Sequence, residues 1–149
     1  MKKIVLFCLL LFQFAGCENI EDCPDVGIPP YARFYVQFLD VNTQEDVFES
    51  GRFLSEEIEI LKNNSNQEVS FHFFTEQNHL EIIVDDTSTD GQAYTILLKN
   101  SQSGEIKEIV VYFDVKTVEK RCYTNYYVEN VDFPNYQYEN ESYSFKVKI

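Results

Sequence analysis

A chain of 149 residues with 25 acidic and 12 basic side chains carries a formal net charge of −13. A surface this acidic repels phosphate backbones and anionic headgroups, and no Lys/Arg cluster offsets it, so binding to nucleic acid is disfavoured. Thirteen Phe and ten Tyr supply β-compatible apolar surface to offset the entropy of folding, which argues against a disordered chain.

Lys2 and Lys3 form a basic start, and Ile4 to Phe12 is an unbroken apolar run. Phe14-Ala15-Gly16-Cys17 then sets small residues directly before a cysteine. That order reads as a secretory signal over residues 1–16. The apolar run falls short of the ~20 residues that a permanent helix needs to cross a ~30 Å hydrocarbon core. The tetrad resembles the lipobox of bacterial lipoproteins, with Phe14 where that family usually has Leu or a smaller aliphatic residue. The resemblance implies cleavage before Cys17, a diacylglycerol on its sulfur and an acyl chain on its new amino group. Several acyl chains hold a membrane firmly where one binds only marginally. The membrane partner is then reached through lipid and not through charge.

Once Cys8 leaves with the signal and Cys17 is taken by lipid, Cys23 and Cys122 remain of the four cysteines. An exported pair of this kind invites a disulfide, the alternative being two separate thiols. Residues 17–30 read as an acidic tether closed by Pro29-Pro30, a pair that disfavours helix and sheet alike. In the Bacteroidetes-type lipoproteins that this chain resembles, acidic residues after the lipidated cysteine mark display on the outer face of the outer membrane. Glu18, Glu21 and Asp22 fit that pattern with Asn19 and Ile20 interrupting it. An outer-membrane location follows from the resemblance, either surface-exposed or facing the periplasm.

From Tyr31 to Ile149 the dominant period is two, the mark of half-buried strands. Phe34, Val36 and Phe38 alternate with Arg33, Tyr35 and Gln37. Val47 to Leu54 alternates weakly, with Gly51 at a bend or bulge. Ile58 and Ile60 alternate with Glu57, Glu59 and Leu61 in a short strand. A hairpin joins Val69, Phe71 and Phe73 to Leu80, Ile82 and Val84. Pairing Phe73 with Leu80 also aligns Phe71 with Ile82 and Val69 with Val84. A second hairpin joins Tyr94–Lys99 to Ile106–Val115, burying Ile109, Val111, Phe113 and Val115. Cys122 to Val131 reads as an aromatic strand followed by a turn at Phe133 to Tyr136. In the last strand Tyr143, Phe145, Val147 and Ile149 point inward. Seven to eight strands, mostly in antiparallel hairpins, predict one all-β domain: an Ig-like or transthyretin-like β-sandwich, with a small barrel as the alternative.

Three constellations offer chemistry. The register above sets His72 opposite Glu81 with His79 diagonal on the same outward face. Two imidazoles and a carboxylate there could hold a transition metal, although an ordinary surface pair is the plainer reading. Asp86, Ser88 and Asp90, ahead of Gly91, match the opening of a calcium loop. Leu97 stands where the bidentate carboxylate belongs, so a plain turn is the preferred reading. Tyr136 and Tyr138 lead a C-terminal aromatic group that could stack on sugar rings or anchor a protein, or could simply be core. No nucleophile elbow, zinc-protease motif or phosphate loop is present. The expectation is a non-catalytic, lipid-anchored sandwich that binds or scaffolds envelope proteins. The alternative is an accessory glycan-binding lipoprotein using the Tyr-rich surface on polysaccharide.

Overall fold

A computed structural model describes residues 31–84 and 91–149. Among them, nine strands form two sheets and no barrel closes. The strands are β1 (Ala32–Leu39), β2 (Glu59–Lys62), β3 (Phe71–Phe74), β4 (His79–Val84) and β5 (Gln92–Asn100). They continue with β6 (Glu105–Glu119), β7 (Thr124–Asp132), β8 (Gln137–Glu141) and β9 (Ser144–Lys148). One sheet runs β3-β4-β1-β9-β8 and the other β2-β5-β6-β7. The chain is a β-sandwich.

Alternation decides which side of each strand meets the other sheet. Phe34, Val36 and Phe38 of β1 are fully buried, as are Ile109 and Val111 of β6. Phe34 touches Phe113 at 5.5 Å between ring centroids and Phe145 at 6.1 Å. Phe113 in turn meets Tyr94 edge-on at 4.8 Å. Phe34 sits on one sheet and Phe113 and Tyr94 on the other, so these rings weld the layers together. Phe133, on the β7–β8 turn, closes one flank against Phe145 at 5.9 Å.

The structure departs from the sequence reading in five places. The strand count is nine because β8, a polar and largely exposed segment, pairs antiparallel with β9. Its partner, not its own composition, makes it a strand. β1 and β9 are parallel, with Tyr35 beside Ser144 and Leu39 beside Lys148. Tyr143, expected inward, is 46% exposed because it stands in the β8–β9 turn, where its carbonyl accepts the Tyr35 amide at 2.8 Å. Val69 does not pair with Val84: its N–H donates to Ile60 of the other sheet at 2.9 Å. The neighbouring Ser70 carbonyl accepts from Ile83 at 3.2 Å, so residues 68–70 cross from one sheet to the other. Finally, residues 40–54 form no strand.

That last segment is a tightly sewn loop. Asp40 accepts the backbone N–H groups of Asn42 and Thr43 at 2.8 and 3.1 Å. Asp46 repeats the device on Phe48 and Glu49, also at 2.8 and 3.1 Å. Short carboxylates that bond the backbone two and three residues on compete with strand formation, which explains why a weak alternation failed to become one. Gly51, at φ 71°, takes a left-handed turn that a side chain would strain. Arg52 then fastens the loop, bonding Asp40 at 2.6 Å and Glu105 at 2.8 Å.

The N–H groups of Thr43 and Asn42, followed by Arg52, hold the Asp40 carboxyl below its ordinary value near 3.8. A depressed carboxylate stabilises the fold at any pH above its unfolded value and ceases to do so as pH falls through the folded one. Asp40→Asn is therefore expected to melt earlier than the wild type at pH 7. The two melting curves should converge once the pH has fallen through the lowered Asp40 value. A constant difference between pH 7 and pH 2 would contradict this assignment.

Candidate functional site

On the outer face of the five-stranded sheet, β3, β4 and β1 run side by side and bring together residues far apart in the chain. His72 lies opposite Glu81, and Glu81 opposite Tyr35. Phe74 lies opposite His79 one step along. The register of β3 with β4 follows the sequence reading. The contribution of β1 could not be read locally, because Tyr35 and Glu81 are 46 residues apart.

Glu81 is the centre of this face. Its side chain is only 8% exposed, although it points away from the core. Arg33 Nη1 donates to Glu81 Oε1 at 3.0 Å, and Tyr35 Oη donates to the same oxygen at 3.0 Å. A buried carboxylate is costly unless paired and hydrogen-bonded, and these two donors satisfy one of its oxygens. The bond to Glu81 raises the Arg33 pKa. Burial, followed by the Glu81 bond, raises that of the Tyr35 phenol.

Three rings continue the face away from this carboxylate. His79 meets Tyr35 edge-on at 5.3 Å and Phe74 at 4.9 Å, and His72 lies 6.2 Å from Phe74. This packing overturns the metal reading of His72, His79 and Glu81. Among the described residues no group of three His, Cys, Asp or Glu side chains could hold a metal ion. The physical reason is that Glu81 turns toward β1 while the His79 imidazole is taken up between two aromatic rings. Asp86, Ser88 and Asp90 lie outside the described residues, so the calcium-loop reading is not addressed. Gly91, just after them, donates its N–H to Asp114 Oδ1 at 2.9 Å.

A cleft of roughly 490 Å³ opens at the same end of the sheet, lined by Gln37 and by the loop residues Gln44, Glu45, Asp46, Glu49 and Ser50. Asp46 is its fixed floor: Gln37 Nε2 donates to Asp46 Oδ2 at 3.1 Å while Oδ1 takes the two loop amides. Phe48 anchors this loop by stacking edge-on against Phe73 at 4.8 Å, next to Phe74. Gln37 shares the outward side of β1 with Tyr35, two residues away. The ring row and the cleft are therefore neighbours.

The Tyr-rich surface has a different fate. Tyr138 packs its ring on Phe133 and Phe145 at 5.3 and 6.1 Å. Its hydroxyl donates to the Val131 carbonyl at 3.2 Å and contacts Asp132 Oδ1 at 3.3 Å. Burial, then the Asp132 charge, raises its pKa. Tyr136 donates to the Glu108 carbonyl at 3.1 Å, and Lys107 Nζ covers its ring at 5.3 Å. Both tyrosines fasten the β7–β8 turn to the sandwich. Alternation could have pointed to Tyr35 and Arg33 as outward residues. Nothing in the local pattern pointed to the loop around Asp46.

Cys17 and Cys23 lie outside the described residues, and Cys122 is half-buried in the β6–β7 turn. Among the described residues no helix is long and apolar enough to cross a membrane. Comparison with family models, curated proteins and solved structures yields no match.

Proposed function

We propose that this chain is a lipid-anchored envelope protein whose β-sandwich works by binding or scaffolding, without catalysis. The observation that carries the reading is the tetrad Phe14-Ala15-Gly16-Cys17 behind a basic start and a short apolar run. Acylation of Cys17 by diacylglycerol and an N-acyl chain holds the sandwich at the outer membrane, facing either the medium or the periplasm. The acidic surface cannot supply that attachment, because it repels anionic headgroups. A bridge between Cys23 and Cys122 ties the tether to the β6–β7 turn. The cleft lined by Gln37 and the loop around Asp46 supports a binding role for the sandwich itself.

The anchoring is tested by expressing the protein with Cys17→Ser in a bacterial host and separating membranes from soluble material. The wild type is expected in the membrane fraction with the mass of a triacylated cysteine, and the variant in the soluble fraction. A variant that still sediments with membranes, or a native protein lacking acyl mass, overturns the reading. Protease treatment of intact cells then reports which side of the membrane the sandwich faces.

A further inference from the structure

Resting on the lipid-anchored reading above, we propose that the arm formed by the end of β6 and the start of β7 is the docking surface for the chain's own acidic segment, residues 24–30. The segment takes up the outer edge of β7. The sandwich then stands on this arm, with the Asp46 cleft turned away from the membrane.

The arm outruns its sheet. β5 pairs with β6 only as far as Gln92 opposite Phe113, whereas β6 and β7 stay paired out to Glu119 opposite Thr124. β7 is also the edge of that sheet, and among the described residues no backbone group pairs with its outer side. An open edge is a template for further pairing, and sheets normally keep theirs short, charged or covered. The other three edges obey that rule. β3 has four residues, and β8 has five with Glu139 and Glu141 among them. β2 is closed by the crossing residues, with the Lys62 N–H donating to Gln67 and the Val69 N–H to Ile60. β7 has nine residues, and Thr124 to Val128 contains no charge, Pro or Gly.

The direction of the chain says what covers this edge. Asp40, just past the end of β1, is tied through Arg52 to Glu105 at the start of β6. Phe34, near the start of β1, meets Phe113 further along β6. β1 therefore runs against β6 and with β7, and the chain ahead of Ala32 heads along the arm toward its tip. Cys23, through its proposed bridge to Cys122, ends at that tip. The nine residues from Cys23 to Tyr31 reach ~30 Å at most. That is ample, because the arm from Val115 to Glu119 rises only ~14 Å before its turn.

Charge agrees. Lys116 is held by Glu129, and at the tip Lys120 and Arg121 outweigh Glu119, on a chain whose net charge is −13. The segment from Glu18 to Pro30 carries Glu18, Glu21, Asp22 and Asp25 and no cation, so opposite charges meet at the bridge. Pro24, Pro29 and Pro30 donate no N–H, which an edge position tolerates, and Asp25 to Ile28 supply the donors. Cys17 stands six residues before Cys23, so the lipid leaves within ~20 Å of the tip. The Asp46 loop follows the opposite end of β1.

Hydrogen exchange read by mass spectrometry on the oxidised chain tests this. Peptides covering Thr124 to Val128 are expected to exchange slowly, although their strand lies at an edge. Along a paired segment only alternate residues donate toward a given partner. Of Val26→Pro and Gly27→Pro, one is therefore expected to speed that exchange about ten-fold and the other far less. Ile20→Pro, ahead of Cys23, is expected to change nothing, and β3 and β4 to exchange alike in all three variants. Fast exchange in the wild type, neither variant speeding it, both doing so equally, or Ile20→Pro matching them overturns the proposal. So does protection that rises with protein concentration, which would give the edge to a second copy of the chain. The Cys17→Ser chain should show the same rates, so a failed anchor and a failed docking are read separately.

Discussion

Truncating Phe113 to alanine is expected to destabilise the sandwich by about 3–5 kcal/mol, the range for removing a buried aromatic ring. The side chain is 2% exposed and touches Phe34 of the facing sheet at 5.5 Å and Tyr94 of its own at 4.8 Å. Its loss would remove both contacts and open a cavity between two sheets whose backbones cannot close the gap independently. In urea the midpoint should fall with an unchanged slope, and the melting temperature should drop by roughly 10 °C or more. A double-mutant cycle with Phe34→Ala should return a coupling of about 0.5–1.5 kcal/mol beyond the separate losses. A loss under about 1 kcal/mol would show that these rings do not join the layers.

Cleavage of the proposed Cys23–Cys122 bridge is expected to have the next largest effect. A disulfide closing roughly 100 residues removes entropy from the unfolded chain, and its loss typically costs about 2–5 kcal/mol. Cys23→Ser, Cys122→Ser and the double variant should therefore show the same fall in urea midpoint, because any one of them opens the same loop. Reductant should bring the wild type to that value and leave the variants where they are. Both thiols alkylating in the unreduced protein, or additive losses in the double variant, would exclude the bridge. The consequence reaches beyond stability. The bridge would fix the tether to the far end of the β6–β7 hairpin and so orient the sandwich over the membrane.

Hairpins with short turns were legible because turn length and buried face fix register together. Phe73 opposite Leu80 emerges from alternation on either side of a turn, and so do the two arms of the hairpin joining Tyr94–Lys99 to Ile106–Val115. The β8 strand was not legible. Gln137 to Glu141 carries little apolar pattern, and it becomes a strand only because β9 offers a row of backbone partners. The loop at 40–54 erred in the opposite direction. Val47 and Phe53 are buried, yet Asp40 and Asp46 divert their neighbours' amides into turns.

The candidate site shows the same division more sharply. Alternation placed Arg33 and Tyr35 on one face of their strand, and His72 and Glu81 on one face of theirs. Sequence gave no sign that the two faces are the same face, so Glu81 was read as a surface partner for imidazoles. Beside β1, it became a buried acceptor for a guanidinium and a phenol. The packing of Tyr136 and Tyr138 was not legible for a related reason. Their rings and hydroxyls meet Lys107, Glu108, Val131 and Phe145, contacts set by where the β7–β8 turn folds back.

Composition, alternation and turn chemistry were enough to determine an acidic all-β domain, the inward side of most strands and the register of its local hairpins. Those properties depend on neighbours a few residues apart. Only the tertiary structure decided that β1 lies between β4 and β9, parallel to the latter, and that Glu81, the ring row and the Asp46 loop share one end of a sheet. Such pairings join segments separated by long stretches of chain. Their choice rests on the free energy of closing those loops and packing both sheets at once, a quantity that no local window of residues contains.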